Sequence, residues 1–310
     1  MVRRHTALHC ARSACRKETL MTQPAPLLVP GLSALAPSYR AVLCDVWGVL
    51  HNGVAAFPEA CEALARFRRD AGGIAVLITN APRPTGSVLK QLEGLGVPLD
   101  VFDDVVTSGD VTRGLLAATR EQPAFHIGPA RDLTLFEGLD IRLVGEDEAE
   151  QVVCTGFHDD ENETPEDYRP LLERLAARGL PFLCANPDIV VERGNRLVWC
   201  AGAIARLYED IGGTVTILGK PHAPIYEEAM ARVAKIAGEQ VAREQILAIG
   251  DGLPTDIRGA VANEIDVLFI TGGIHGADFG PVEAPDEALV RRRLAEEGLT
   301  ARAAVPHLRW

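Results

Sequence analysis

Short runs that are apolar at nearly every position, and not merely at alternate ones, constrain this chain most: Ala41–Cys44, Ile74–Ile78, Val215–Leu218, Ile246–Ile249 and Val267–Ile270. A strand with one wet face alternates, whereas a strand of a parallel sheet is covered on both sides and reads as such a run. Helical patterns lie between them. Pro58–Asp70 carries proline at a first helical position and stops at Gly72-Gly73; Pro224–Ala237 and Thr255–Ala262 read similarly. Strand and helix in alternation predict an α/β fold built on a doubly wound, Rossmann-like parallel sheet.

A second set of elements separates the second and third runs. Ala124–Ile127, Gln151–Cys154 and Pro181–Cys184 read as strands, and Gly109–Thr119, Arg131–Phe136 and Pro165–Arg178 as helices. Thr164 is an N-cap candidate, with Asp167 in the first turn. The expected organisation is a core of residues 26–84 and 200–310, interrupted by an inserted α/β domain of residues 85–199. The acidic stretch Asp159–Glu163 reads as a solvated loop of that insert.

Composition removes whole classes of function. Hydrophobic residues are 47% and charged residues 24%, which excludes a mostly disordered chain. No apolar run approaches the ~20 residues of a membrane span, so no membrane partner is expected. The net charge of −12 and only 5% aromatics argue against a nucleic acid partner. An acidic protein that holds an anionic substrate needs a local cation, and a divalent metal is the obvious one.

The N-terminus departs from the rest. Five basic residues against Glu18 give the first twenty residues +4 and leave −16 for the remainder. With no apolar core for a secretory signal, residues 1–25 read as a disordered or over-called extension, Met21 being a candidate start. The seven cysteines form no C-x-x-C pair, and Cys44, Cys154 and Cys184 sit in apolar runs. A reduced, cytoplasmic protein is the expectation.

Ligands of doubly wound sheets bind beyond the carboxyl ends of the strands. The residues found there are Asp45-Val46-Trp47-Gly48, Thr79-Asn80, Gly219-Lys220-Pro221 and Gly250-Asp251-Gly252, with Asp256 five positions beyond Asp251. Singly, each is an ordinary turn or cap. In order behind buried strands, they bring carboxylates, a hydroxyl and a lysine to one rim. Clustered carboxylates repel, and magnesium relieves that repulsion while leaving coordination sites for a phosphate. Asp45 could attack phosphorus while Lys220 and Thr79 hold the transferring oxygens. Gly272–His275 follows the last core run and could border the metal, and Arg131 could reach an anion.

These four pieces resemble the four motifs of the haloacid dehalogenase superfamily, in particular its NagD-like class IIA with a C2-type cap. The insert and its Asn186-Pro187-Asp188 match that class. The resemblance covers roughly residues 38–275. It implies a magnesium-dependent hydrolase with Asp45 as nucleophile and metal ligand. The Trp47 backbone carbonyl and Asp251 would complete the ligands, Asp256 supporting them from behind. Thr79 and Lys220 would hold the phosphoryl group; Asn80, Asn186 and Asp188 would contact the leaving group. The implied substrate is a small phosphorylated metabolite, a sugar phosphate or nucleotide-like, and the class points to a homodimer through the cap.

One position departs from the family pattern. The superfamily's phosphatases carry an acid/base aspartate two residues after the nucleophile, where this chain has Trp47. Such a group is worth about 10²–10⁴ in rate. His51 is a substitute proton donor by position, or simply a packed residue of the flap. Three readings therefore stay open. They are a phosphatase through an aspartyl phosphate, a hydrolase whose leaving group needs no proton (a C–halogen or C–P bond), and a phosphate-ligand-binding protein with little turnover.

Overall fold

The computed structural model describes residues 27–119, 121–194 and 196–310. The expected N-terminal extension, residues 1–25, lies outside the described residues. Along the chain run β1 (Ala41–Cys44), α1 (Pro58–Ala71), β2 (Ile74–Thr79), α2 (Thr85–Gly94), β3 (Asp104–Thr107) and α3 (Ser108–Ala118). Then come β4 (Ala124–Ile127), β5 (Gln151–Cys154), α4 (Arg169–Ala177), β6 (Phe182–Cys184), β7 (Val190–Arg193), β8 (Arg196–Trp199), α5 (Ala201–Asp210) and β9 (Val215–Ile217). The chain closes with α6 (Ala223–Ala237), β10 (Ile246–Gly250), α7 (Arg258–Ala262), β11 (Asp266–Ile270), α8 (Glu287–Glu296) and β12 (Ala303–Val305).

Six strands form the larger sheet in the order β12-β11-β10-β1-β2-β3, every pair parallel. All four residues of β1 are buried because the sheet is covered on both faces. Val42 and Cys44 pack toward α1 and α2, against Leu64, Phe67 and Leu92. Ala41 and Leu43 point the other way, toward α6 and α8, against Ile225, Val233 and Val290. Burying each such Leu or Val side chain contributes about 1.5–3 kcal/mol, so these runs drive the layering. The chain winds outward through β2 and β3 on one side of β1, and through β10, β11 and β12 on the other. The switch point therefore falls between β1 and β10, where doubly wound sheets open a crevice.

A smaller sheet, β4-β5-β6-β9, is also all parallel. Its strands bury Val152 and Cys154 against α4 and α5, and Val153 and Leu183 against Leu116 and Phe136. Beside it stands an antiparallel hairpin, β7 with β8.

Two sheet assignments correct the sequence reading. Val215–Ile217, expected as the third core strand, pairs instead with β6 at the edge of the smaller sheet. Conversely β3, inside the expected insert, is the outermost strand of the larger sheet beside β2. The interruption thus begins after α3 and ends after β9, not at residues 85 and 199. A strand of three residues, Val-Thr-Ile, carries no mark of which sheet it will join, because pairing partners are distant in sequence. Thr255–Ala262 is likewise not one regular helix: Leu253–Ile257 form a wide π-type turn that leads into α7.

Candidate active site

Asp45 follows directly on β1, and Asp251 directly on β10, the two strands that flank the switch point. Thr79 ends β2 and Asn80 follows it. Asp256 lies in the turn after β10, its Oδ2 accepting from the Gly252 amide at 3.1 Å. Lys220 arrives from the smaller sheet, three residues after β9 ends.

Lys220 joins these groups. Its Nζ donates to Asp45 Oδ1 at 2.6 Å and to Asp256 Oδ1 at 2.7 Å. The lysine is 3% exposed and the two aspartates 6% and 5%. Burial opposes its charge, but the Asp256 and Asp45 carboxylates outweigh that and hold the ammonium protonated well above its ordinary range. Its backbone amide donates to Asn80 Oδ1 at 2.7 Å, and Asn80 Nδ2 donates to Asp188 Oδ1 at 2.8 Å. A continuous run of hydrogen bonds thus links the Asn186-Pro187-Asp188 turn to Asp45.

Asp251 completes the acidic group. Carboxylate oxygens of Asp45, Asp251 and Asp256 all lie within 4.8 Å of one another. Burial and then Asp256 push the Asp251 carboxyl up to about 7. Burial and Asp256 also push Asp45 up, against the pull of Lys220. One ammonium cannot neutralise three buried carboxylates, and a hard divalent cation with oxygen ligands suits that deficit. The backbone is shaped around Asp251. The Ile274 amide donates to its Oδ2 at 2.8 Å, which puts the Gly272–His275 loop at the site border as the sequence suggested. Gly48 (φ +81°) and Gly273 press on the same side chain; a Cβ at Gly273 would come 2.0 Å from Asp251 Oδ2, and one at Gly48 2.3 Å. Only glycine permits that approach.

A cavity of about 340 Å³ contains all these side chains and Thr79, within the size range of small-ligand sites. A second cavity of about 400 Å³ meets it at Trp47, Thr79, Asp188 and Val191. Asn186 lines only the second; its Oδ1 accepts from the Asp188 amide at 3.1 Å and shapes the turn. Arg83, Arg131 and Arg193 also line the second cavity. There Arg131 and Arg193 both pair with Asp160, at 2.6 and 2.9 Å, so the acidic stretch is partly tied down.

The position of the missing acid has been put to another use. The Trp47 indole N–H donates to the Glu192 carbonyl in β7, across 145 residues of chain. His51 is no proton donor at neutral pH. It is 1% exposed, burial lowers its pKa to about 4, and its Nδ1 accepts from the Gly53 amide at 3.0 Å. Its ring stands edge-on to Trp47 at 5.0 Å, so it is a packed flap residue. Sequence reasoning missed the Trp47–Glu192 contact and the paired glycines around Asp251. Gly48 directly after Asp-Val-Trp was the available signal for the latter.

No helix among the described residues is long and apolar enough to cross a membrane. The described cysteines are all free and buried.

Comparison with known proteins agrees with this geometry. Residues 42–142 match the haloacid dehalogenase-like hydrolase family model, and residues 217–296 a second model of HAD-hydrolase-like proteins. A solved hydrolase of the haloacid dehalogenase-like family from Brucella suis is 50% identical, covers 91% of this chain and all of its own, and superposes with a TM-score of 0.81. The ribonucleotide monophosphatase NagD of Escherichia coli K12 is 28% identical, with 77% of this chain and 90% of NagD covered. The 5'-nucleotidase YutF of Bacillus subtilis is 25% identical over 76% of this chain and 89% of its own.

Proposed function

The chain belongs to the haloacid dehalogenase-like hydrolase family, and from that premise we propose that it is a magnesium-dependent phosphatase of small phosphorylated metabolites, sugar phosphates or nucleotide-like esters. The observation that carries this reading is Lys220 held between Asp45 and Asp256, with Asp251 beside them. Relatives described as a ribonucleotide monophosphatase and a 5'-nucleotidase support phosphomonoesters as the substrate class.

In this mechanism Asp45 attacks the phosphorus, the ester oxygen leaves, and an aspartyl phosphate forms. Lys220 and the Thr79 hydroxyl hold the equatorial oxygens as charge gathers on them. Water then attacks the same phosphorus and frees Asp45. Asp45, Asp251 and the Trp47 backbone carbonyl would hold magnesium, with Asp256 behind them. Bound there, the ion would supply charge neutralisation at the phosphoryl oxygens. Asp256 also fixes the direction of the Lys220 ammonium. The acidic group favours this reading over a C–halogen hydrolase, whose halide leaves without a metal-and-phosphate site.

The test is phosphate release from a panel of phosphomonoesters with magnesium. Turnover that vanishes with chelator and in Asp45→Asn is expected. Release that persists in either case would overturn the mechanism.

A further inference from the structure

Trp47 leaves the reaction without its usual proton donor, so another group must serve if an ester with a basic leaving group is to turn over. A general acid has to stand where the phosphoryl site opens toward the rest of the substrate. Four residues border both cavities, and of these only Asp188 is ionisable. We propose that Asp188 protonates the leaving oxygen and then accepts the proton of the attacking water. The proposal rests on the phosphatase reading above.

Geometry carries the assignment. Asp188 Oδ1 accepts from Asn80 Nδ2 at 2.8 Å, and Asn80 in turn receives the Lys220 amide, so the carboxyl is tied to the residue that holds Asp45. Among the described residues Asn80 is the one hydrogen-bond partner of its carboxylate, and Asp188 keeps surface on the cavities. The groups around it are Lys220, Asp251, Asp256, Asn80 and the Cys184 and Cys200 thiols. Burial raises its pKa against the pull of Lys220 and Asn80.

The step balances. Asp45 forms an O–P bond, the ester P–O bond breaks, and the leaving oxygen keeps the electron pair and takes the Asp188 proton. In the second half the Asp188 carboxylate takes a proton from water as that oxygen attacks phosphorus. The acyl phosphate opens, and phosphate and protonated Asp188 result.

Phenyl and p-nitrophenyl phosphate have similar shapes, but the nitrophenolate leaves without a proton. Asp188→Asn is expected to lower kcat/KM, which reports the leaving-group step and not the shared hydrolysis of the aspartyl phosphate, on phenyl phosphate by about 10²–10⁴ and on p-nitrophenyl phosphate at least about tenfold less. Asp188→Glu, which keeps a carboxyl, is expected to recover part of the phenyl phosphate rate, and it carries the comparison if the asparagine variant does not fold. Equal losses on both esters, as expected of a residue that only anchors the turn, overturn the proposal alone. Absence of any wild-type turnover on either ester overturns the phosphatase reading and this proposal with it.

Discussion

The Lys220 ammonium lies 2.6 Å from Asp45 Oδ1, in a site where both residues are buried. Removing either partner should therefore have different consequences. Asp45→Asn leaves Lys220 paired with Asp256, so the fold should hold while turnover falls by at least about 10³. Lys220→Met strands two buried carboxylates and should also cost about 3–5 kcal/mol of stability. Steady-state kinetics and chemical denaturation check both. Asp45→Asn activity within tenfold of wild type would remove Asp45 from the chemistry.

Gly273→Ala tests the metal assignment without touching a ligand. The added carbon would meet Asp251 Oδ2 at 2.0 Å and must push that carboxylate aside. The magnesium concentration for half-maximal activity should rise about 10–100-fold, the range seen when support of a metal ligand is disturbed. An unchanged magnesium titration would show that Asp251 does not hold the ion.

Metal removal should give the protein an unusual dependence on pH. The Asp251 carboxyl titrates near 7 in the fold and near 3.8 when unfolded, so between these values the folded chain binds the extra proton. Its contribution to stability is full below about 3.8 and is lost as pH rises through about 7. The chelated protein should melt at progressively lower temperature across that window. Magnesium must displace this proton, so its stabilising effect should grow from pH 5.5 to 8. Thermal melts with chelator and with magnesium measure both trends; a magnesium effect that shrinks as pH rises would contradict the site.

Trp47→Phe keeps an aromatic ring but deletes the hydrogen bond to the Glu192 carbonyl. A bond of this kind is worth about 0.5–1.5 kcal/mol. If it holds the β7–β8 hairpin over the site, KM should rise about 2- to 10-fold with kcat less affected. A selective loss of kcat with KM unchanged would point to a role for the indole in the reaction itself.

The strand-end chemistry was legible because it is local. Asp45, Thr79 and Asp251 each sit at the carboxyl end of a run whose burial is written in its own residues, and the structure brings them together as that pattern implied. Lys220 reached the site too, although the strand before it belongs to the other sheet. That strand was misassigned, and β3 overlooked, because Val-Thr-Ile and Asp-Val-Val-Thr are too short and too polar to declare a partner. The fate of Trp47 was hidden for the same reason: its acceptor, Glu192, is nowhere near it in sequence. His51 stood open in the sequence between a proton donor and a packed flap residue, and burial with the Gly53 amide selects the second.

Only Leu218 and Gly219 separate the end of β9 from Lys220. A Cβ at Gly219 would lie 2.5 Å from Asn80 Oδ1, so even this short splice is sterically full. The domain built on the smaller sheet is therefore not an interchangeable part. Anyone transplanting a foreign one to alter what the enzyme accepts must preserve that two-residue joint, or the reactive centre loses its cation along with its old preferences.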